Sequence, residues 1–380
     1  MKLGFIFGRW GSKYHGGFDL EHLWDGRGLT GSENSFFNAA RSLSARGHEV
    51  IVTCDGKGPS KPPVLEGCTF IPIPKTQDTP SYLPKDCDAY LSWNEPDLLR
   101  FVPAEKVRVN VHQINDWGFA YAGFNPFVDK YVALSEAHKK RLVSVSDFDP
   151  AKFAIIPNSI DLRFYEGSLP IEDRGKTIAF ISSPDRGLHR ILEIFPEVKR
   201  RVPEATLEIF YEWQKLYSQA HKEQNAIGLR VRHMNALLQK SGTEGDNGVY
   251  MRGNISTFDI IKKLCRTRVL AYTCEPIDFT ESFSVATMDA CAAGCVPIVS
   301  DADCLGEIYQ DAAYVIPGLP GRKKVEWIDA VCESLTDDVF AKSLTKRAKK
   351  FAVDFDLRNV ALKWEEFLTH AIADKKRKAA

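Results

Sequence analysis

Short apolar runs alternate with stretches whose apolar positions recur at the helical period, almost from one end of the chain to the other. Continuous apolar runs suit strands buried on both faces, and the periodic stretches between them suit crossover helices, so the pattern predicts an α/β protein with parallel sheets. In the first half the predicted strands are 2–8 (KLGFIFG), 50–54 (VIVTC), 68–73 (CTFIPI), 89–94 (AYLSWN), 107–112 (VRVNVH) and 130–134 (KYVAL). Between the first two, Phe36, Ala39, Ala40 and Leu43 mark a helix opened by Thr30 or Ser32 and closed by Gly47. The Gly-rich connection 9–31 is long for a strand-to-helix loop, and such length goes more often with function than with neutrality.

The pattern restarts near residue 175, with strands predicted at 177–182 (TIAFIS), 205–211 (ATLEIFY), 248–252 (GVYMR), 269–274 (VLAYTC) and 296–300 (VPIVS). The intervening FAIIPNSIDLRFYEGSLPIEDRGK has the proline, glycine and charge content of a linker, which places the boundary near 160–175. A length of 380 residues also exceeds one ordinary core and suits two. The expected division is an N-terminal domain at 1–165, a second domain at 175–355 and a terminal segment at 356–380. In that segment Val360, Ala361, Trp364, Phe367 and Leu368 fall at helical spacing from about Leu357, and the apolar face would tie the helix back to the N-terminal domain.

Fifty basic residues balance fifty acidic ones, so no net field draws the chain to nucleic acid, and a hydrophobic fraction of 44% excludes a disordered chain. The tail Lys375, Lys376, Arg377, Lys378 reads as a solvated terminus, with weak peripheral attraction to an anionic membrane as the lesser alternative. MKLGFIFGRW lacks the length and cleavage site of a signal peptide, and no run approaches the ~20 apolar residues that cross a bilayer. Nine scattered cysteines suit reduced thiols, so a soluble, cytoplasmic protein is expected. Cys291 and Cys295 have no companion pair at metal-ligand spacing, and the Asp-x-Asp strings at 86/88, 147/149, 301/303 and 354/356 are scattered as chance would scatter them; no metal is expected.

The most informative stretch is FTESFSVATMDACAAGCVPIVSD, 279–301. Glu281 precedes a helix predicted at 282–294, and Asp289, a little over two turns on, projects on nearly the same face as its start. Ser282, Phe283 and Ser284 would present backbone N–H groups and the positive end of the helix dipole, an arrangement suited to a diphosphate flanked by two carboxylates. Spacing alone leaves the alternative open that Glu281 caps the helix and Asp289 is a solvated charge.

With Ala292, Ala293, Gly294, Val296 and Pro297 closing the motif, the stretch resembles the retaining GT-B glycosyltransferases of family 4, the glycosyl transferases group 1. The resemblance implies two Rossmann-like domains with parallel sheets facing a central cleft. It implies that Glu281 contacts the donor sugar, that the amides of Ser282, Phe283 and Ser284 hold the diphosphate, and that Asp289 binds the ribose. Ser284 stands where the family usually has Gly, and Asp289 where it usually has Glu. In FISSPDRGLHRIL, Arg186 before Gly187 matches a phosphate-binding base, while the strand end offers Ser182 and Ser183 where the family has a second basic residue. An exposed turn arginine is the alternative for Arg186.

In LTGSENS, Gly31 resembles the family's Gly-Gly-x-Glu turn, with Thr30 in place of the first Gly. His112 ends a predicted strand, with Asn115, Asp116 and Trp117 following as candidate acceptor contacts, and it matches a family His on the acceptor side of the donor sugar. Read alone, such a His is more often structural. The resemblance thus implies a metal-independent hexosyltransferase without cofactor, moving a sugar from a nucleotide-diphosphate sugar to a hydroxyl on a glycan, lipid or small molecule. No carboxylate nucleophile for double displacement stands out, and the resemblance instead implies front-side substitution, with the departing phosphate oxygen taking the acceptor proton. A nucleotide-sugar 2-epimerase and a catalytically silent nucleotide-sugar sensor are the alternatives.

Overall fold

A computed structural model of the protein describes residues 1–7, 18–19, 31–54, 56–57, 64–72, 82–115, 122–241, 245 and 247–379. The chain divides into two compact units, unit 1 made of 1–161 and 355–380, and unit 2 of 162–354.

Unit 1 carries β1 (Lys2–Phe7), β2 (Phe18–Asp19), helix α1 (Gly31–Ala45), β3 (Glu49–Cys54), β4 (Gly56–Lys57), β5 (Val64–Leu65), β6 (Cys68–Pro72), β7 (Ala89–Trp93), β8 (Val107–Val111), β9 (Lys130–Ala133), α2 (Glu136–Val145) and β10 (Phe153–Ile155). The main sheet runs β10-β9-β8-β7-β1-β3-β6-β5, parallel throughout except for the antiparallel edge pair of β5 with β6, while β2 and β4 pair separately. All six strands expected from the apolar runs form, each ending within two residues of its predicted limits. Strand β10 lies inside the stretch read as linker; three residues of a sheet edge carry too little periodicity to be told from a connection.

One face of this sheet buries Phe5 and Trp93 against Phe36 and Phe37 of α1, with Phe36 and Trp93 ring centroids 5.2 Å apart edge-to-face. The opposite face buries Tyr90, Leu99, Tyr131, Leu142 and Phe148. The terminal segment is a single helix, Leu357–Ala379, and its Val360, Trp364, Leu368 and Ala371 join the first cluster; Trp364 lies 5.9 Å from Trp93. The helix packs along α1. Its apolar stripe, legible at 3.6-residue spacing, is therefore core of unit 1.

Unit 2 carries β11 (Thr177–Phe180), α3 (Leu188–Arg201), β12 (Thr206–Ile209), α4 (Trp213–Ala220), α5 (Ala226–Ser241), β13 (Val249–Met251), α6 (Thr257–Leu264), β14 (Val269–Tyr272), α7 (Val285–Ala293), β15 (Val296–Ser300), α8 (Leu305–Tyr309), β16 (Tyr314–Ile316), α9 (Lys324–Thr336) and α10 (Asp338–Ala352). Its six strands are all parallel, in the order β13-β12-β11-β14-β15-β16. The chain first winds outward from β11 to β13, then returns beside β11 and winds the other way, the doubly wound order of a Rossmann-like domain. Helix α3 shows why periodicity sufficed: Leu188, Ile191, Leu192 and Phe195 are all buried on one stripe.

All nine cysteines are free thiols, eight of them buried. Among the described residues no helix is long and apolar enough to cross a membrane.

Removing the buried indole of Trp364 by Trp364→Ala should cost about 3–5 kcal/mol, the usual range for an aromatic core truncation. Urea unfolding followed by circular dichroism measures it, and a loss below about 1 kcal/mol would show that this helix is not core.

Candidate functional site

In a doubly wound sheet the loops leaving two neighbouring strands in opposite directions open a crevice at their carboxyl ends. In unit 2 those neighbours are β11 and β14. The loop after β11 carries Ser182, Ser183 and the short 3-10 turn Pro184–Arg186; the loop after β14 runs from Thr273 to Ser284. The two meet through Gly187, whose φ is 151° and whose added Cβ would stand 2.0 Å from the Thr273 carbonyl oxygen, so only glycine lets the backbones come this close. Thr273 Oγ1 donates to the Gly187 carbonyl at 2.9 Å, and the Glu275 amide donates to the Arg186 carbonyl at 2.8 Å.

Arg186 and Glu281, predicted as separate parts of one site, are in direct contact. Arg186 Nη1 donates to Glu281 Oε1 in a close ion pair. The same oxygen accepts the Tyr272 hydroxyl at 2.6 Å, and Tyr272 in turn accepts from Ser182 Oγ at 3.0 Å. Glu281 is buried, and its Oε2 takes no hydrogen bond among the described residues. Burial opposes the Arg186 charge, but Glu281, with Tyr272 and Asp185 behind it, holds the guanidinium pKa above its ordinary value. Burial and the neighbouring Glu281 push the Tyr272 phenol well up, so it stays protonated and donates. Ser183 is the other candidate on this loop, and its hydroxyl bonds to the Asp185 carboxylate and lies 3.5 Å from the Tyr211 hydroxyl.

Helix α7 begins at Val285, three residues later than its predicted start, because Ser284 is its N-cap rather than part of its first turn. Ser284 sits in the left-handed region at φ 64°, a conformation that costs a non-glycine residue about 1–2 kcal/mol. Glycine adopts that backbone without the cost. The serine supplies compensation: its Oγ reaches the Thr287 amide at 3.4 Å and Thr287 Oγ1 at 2.9 Å. Tyr309 Oη clamps the preceding turn by donating to the carbonyls of Phe283 and Ser284, both at 2.8 Å, and the Phe283 ring is buried beside it. Ser282 is buried in the same turn. The first-turn amides of Val285 and Ala286 have no intrahelical acceptor and carry the positive end of the helix dipole. At the other end Gly294, at φ 69°, and Arg174, donating to the Ala293 carbonyl at 2.7 Å, close the helix.

Asp289 is buried on α7, and its Oδ1 accepts the Tyr165 hydroxyl at 2.6 Å. Burial raises its pKa to about 7, with the Tyr165 bond pulling the other way.

The remaining candidates belong to unit 1. Gly31 is the first residue of α1. His112 follows β8 as expected, but its ring is enclosed by Tyr131, Phe148 and Phe153 at 5.7, 5.2 and 6.2 Å, and its Nε2 finds no partner among the described residues. Burial, with His138 adding to it, lowers its pKa to about 3, so the imidazole is neutral. Asn115 is partly buried just beyond it. Asp116 and Trp117, with Thr30 and nearly all of the 9–31 connection, lie outside the described residues.

Several groups at the site carried no motif. Tyr272 looked like one residue of an apolar strand, and Tyr165 like linker. Asp303, one half of a scattered Asp-x-Asp string, stands at φ 53° and accepts the amides of Thr280 (2.8 Å) and Glu281 (2.9 Å), fixing the loop that presents the Glu281 carboxylate. Arg230 on α5 clamps the same turn from a third element, its Nη1 donating to the carbonyls of Asp185 (2.7 Å) and Glu275 (2.6 Å). Arg190, four residues past Arg186, is engaged with Glu275 at 2.6 Å and with Glu193 at 3.0 Å. Among the described residues no group of three or more His, Cys, Asp or Glu side chains is arranged to hold a metal ion.

Neither a family model nor any curated protein sequence matches the chain. Among similar solved structures is sucrose-phosphate synthase from Thermosynechococcus elongatus, with a TM-score of 0.68 at 14% identity over 98% of this chain and 100% of that one. Another is Anabaena HepE in complex with UDP and glucose, with a TM-score of 0.67 at 14% identity over 97% of this chain and 100% of that one. A glycosyltransferase from Rickettsia africae gives 0.64 at 13% identity over 98% of both chains. Likeness across whole chains at such low identity speaks to the fold, which is GT-B, two Rossmann-like domains in one chain.

An aspartate whose folded pKa is raised to about 7 binds its proton more tightly folded than unfolded, so its effect on stability is least harmful below about pH 4. The penalty grows as pH climbs from there to about 7 and is constant above. Asp289→Asn should therefore gain melting temperature over the wild type progressively across that window in thermal denaturation without ligand. A difference that does not vary with pH would refute the titration.

Proposed function

We propose that the protein is a retaining glycosyltransferase that moves a hexose from a nucleotide-diphosphate sugar to an acceptor hydroxyl without a metal, in the reducing environment of the cytoplasm. The observation that carries this reading is the meeting of Arg186 and Glu281 at the switch point of unit 2, on the loop that leads into the N-terminus of α7. The likeness to HepE, whose structure holds UDP and glucose, supports a nucleotide sugar as the donor. Nine free thiols support the compartment.

In this reading the diphosphate lies against the first-turn amides of α7 and the Arg186 guanidinium. Both are oriented before the ligand arrives, so little reorganisation is needed as charge builds on the leaving phosphate. Arg186 gives the fork geometry that phosphate oxygens accept, and Arg230 keeps its turn in place. Glu281 presents Oε2 to the donor sugar while Tyr272 and Arg186 hold Oε1. Asp289 accepts from the ribose. Asp303, whose carboxylate lies beside Glu281, is engaged by the amides of Thr280 and Glu281, so substitution on the front face, the departing phosphate oxygen taking the acceptor proton, accounts for retention. His112, in unit 1, holds no charge at neutral pH.

Two substitutions separate the roles. Glu281→Gln should lower turnover by about 10²–10³. It should leave nucleoside-diphosphate affinity equal or tighter, because Arg186 loses a competing carboxylate. Arg186→Ala should weaken that affinity more than tenfold, since a charge-assisted hydrogen bond is worth roughly 1.5–3 kcal/mol. Calorimetry with UDP, GDP and ADP, with NMR of the products, reads both. Normal turnover in Glu281→Gln, unchanged affinity in Arg186→Ala, or a free epimerised sugar nucleotide as the product would each contradict the proposal. Turnover in excess EDTA should match that without it, and its loss on chelation, restored by a divalent cation, would contradict metal independence.

A further inference from the structure

The proposed ribose carboxylate is held by a residue outside every motif. Tyr165 closes the 3-10 turn Leu162–Tyr165 at the start of unit 2, which packs against α7, and its hydroxyl reaches Asp289 Oδ1 across 124 positions of sequence at 2.6 Å. Both side chains are buried, the tyrosine at 6% exposure and the aspartate at 7%. A short hydrogen bond in such surroundings fixes a carboxylate's rotamer, and it stabilises the ionised form where burial would otherwise favour the neutral one. Oδ2 takes no hydrogen bond among the described residues.

We propose that Tyr165 is a positioning residue for nucleotide recognition: by donating to Oδ1 it fixes the Asp289 carboxylate and leaves Oδ2 to accept a hydroxyl of the ligand's ribose. The inference rests on the diphosphate-sugar reading of the site and adds the element that makes an aspartate serve in a buried position. Burial drives Asp289 upward to about 7, and Tyr165 opposes it. The other titratable groups bearing on it are Cys291 on its own helix and Tyr309 on α8, both pushed up by burial and therefore neutral. No lysine, arginine or histidine among the described residues pairs with it. Tyr165 is thus the group that works against burial in favouring the charged form of Asp289.

The test uses the full chain, first without ligand and then with whichever of UDP, GDP and ADP binds tightest. In Tyr165→Phe, the rise of stability penalty with pH should extend to higher pH than in the wild type. Nucleotide affinity should fall roughly fivefold at pH 7, about the worth of one net hydrogen bond. It should recover by about pH 9, where the carboxyl is ionised even without the hydroxyl. A merely structural tyrosine would lower stability evenly and leave both pH profiles in place, and that result overturns the proposal. A shifted ligand-free profile with unchanged nucleotide affinity at every pH removes Tyr165 from recognition while the diphosphate reading stands. If none of the three nucleotides binds the wild type, that reading fails and this one with it. Should Tyr165→Phe not fold, Asp289→Asn decides: between pH 7 and 9, above the ionisation of the ligand's terminal phosphate, its nucleotide affinity should no longer rise with pH, and a retained wild-type rise overturns the proposal.

Discussion

The Glu281 carboxylate, shared between the Arg186 guanidinium and the Tyr272 hydroxyl, is the interaction on which the site depends. Each partner comes from a different loop or strand end, and they coincide because the sheet of unit 2 reverses its winding between β11 and β14. A carboxylate taken out of water is costly unless it is paired and hydrogen-bonded. Here a cation and a phenol hold one oxygen, and the other carries no competing bond among the described residues.

Around this pair, ordinary turn chemistry supplies the precision. Gly187 permits the two loops to touch, Asp303 holds the amides of Thr280 and Glu281, Tyr309 ties down two carbonyls, and Ser284 caps the helix from a left-handed backbone. Several of these residues are strained or buried polar groups, which survive only where surrounding structure holds them. Arg230, absent from any motif, joins the Arg186 turn to the loop after β14, so a site with a single motif arginine is still held from three elements.

Much of this was legible in the chain because it is local. Strands buried on both faces announce themselves as apolar runs, α3 and the terminal helix as stripes, and Glu281 and Asp289 as carboxylates at the head of a helix. What stayed hidden depends on tertiary placement. Strand β10 was too short for any period, and the start of α7 moved three residues because capping by Ser284 competes with helix continuation. The partnership of Tyr165 with Asp289 and the clamp of Arg230 on Asp185 need the strand order before they can be seen. His112 was legible as a strand-end residue, whereas its aromatic enclosure and neutral state follow from β9, β10 and Phe148, which no local pattern connects to it.

The central claim is that oriented main-chain amides and one guanidinium in unit 2 bind a diphosphate. Crystals soaked with the tightest-binding nucleoside diphosphate test it most directly. The account predicts diphosphate density against the amides of Val285 and Ala286 and the guanidinium of Arg186, with the Arg186 contact to Glu281 loosened or shared. Density for the diphosphate elsewhere in the molecule, with this ion pair and helix end left undisturbed, would contradict it.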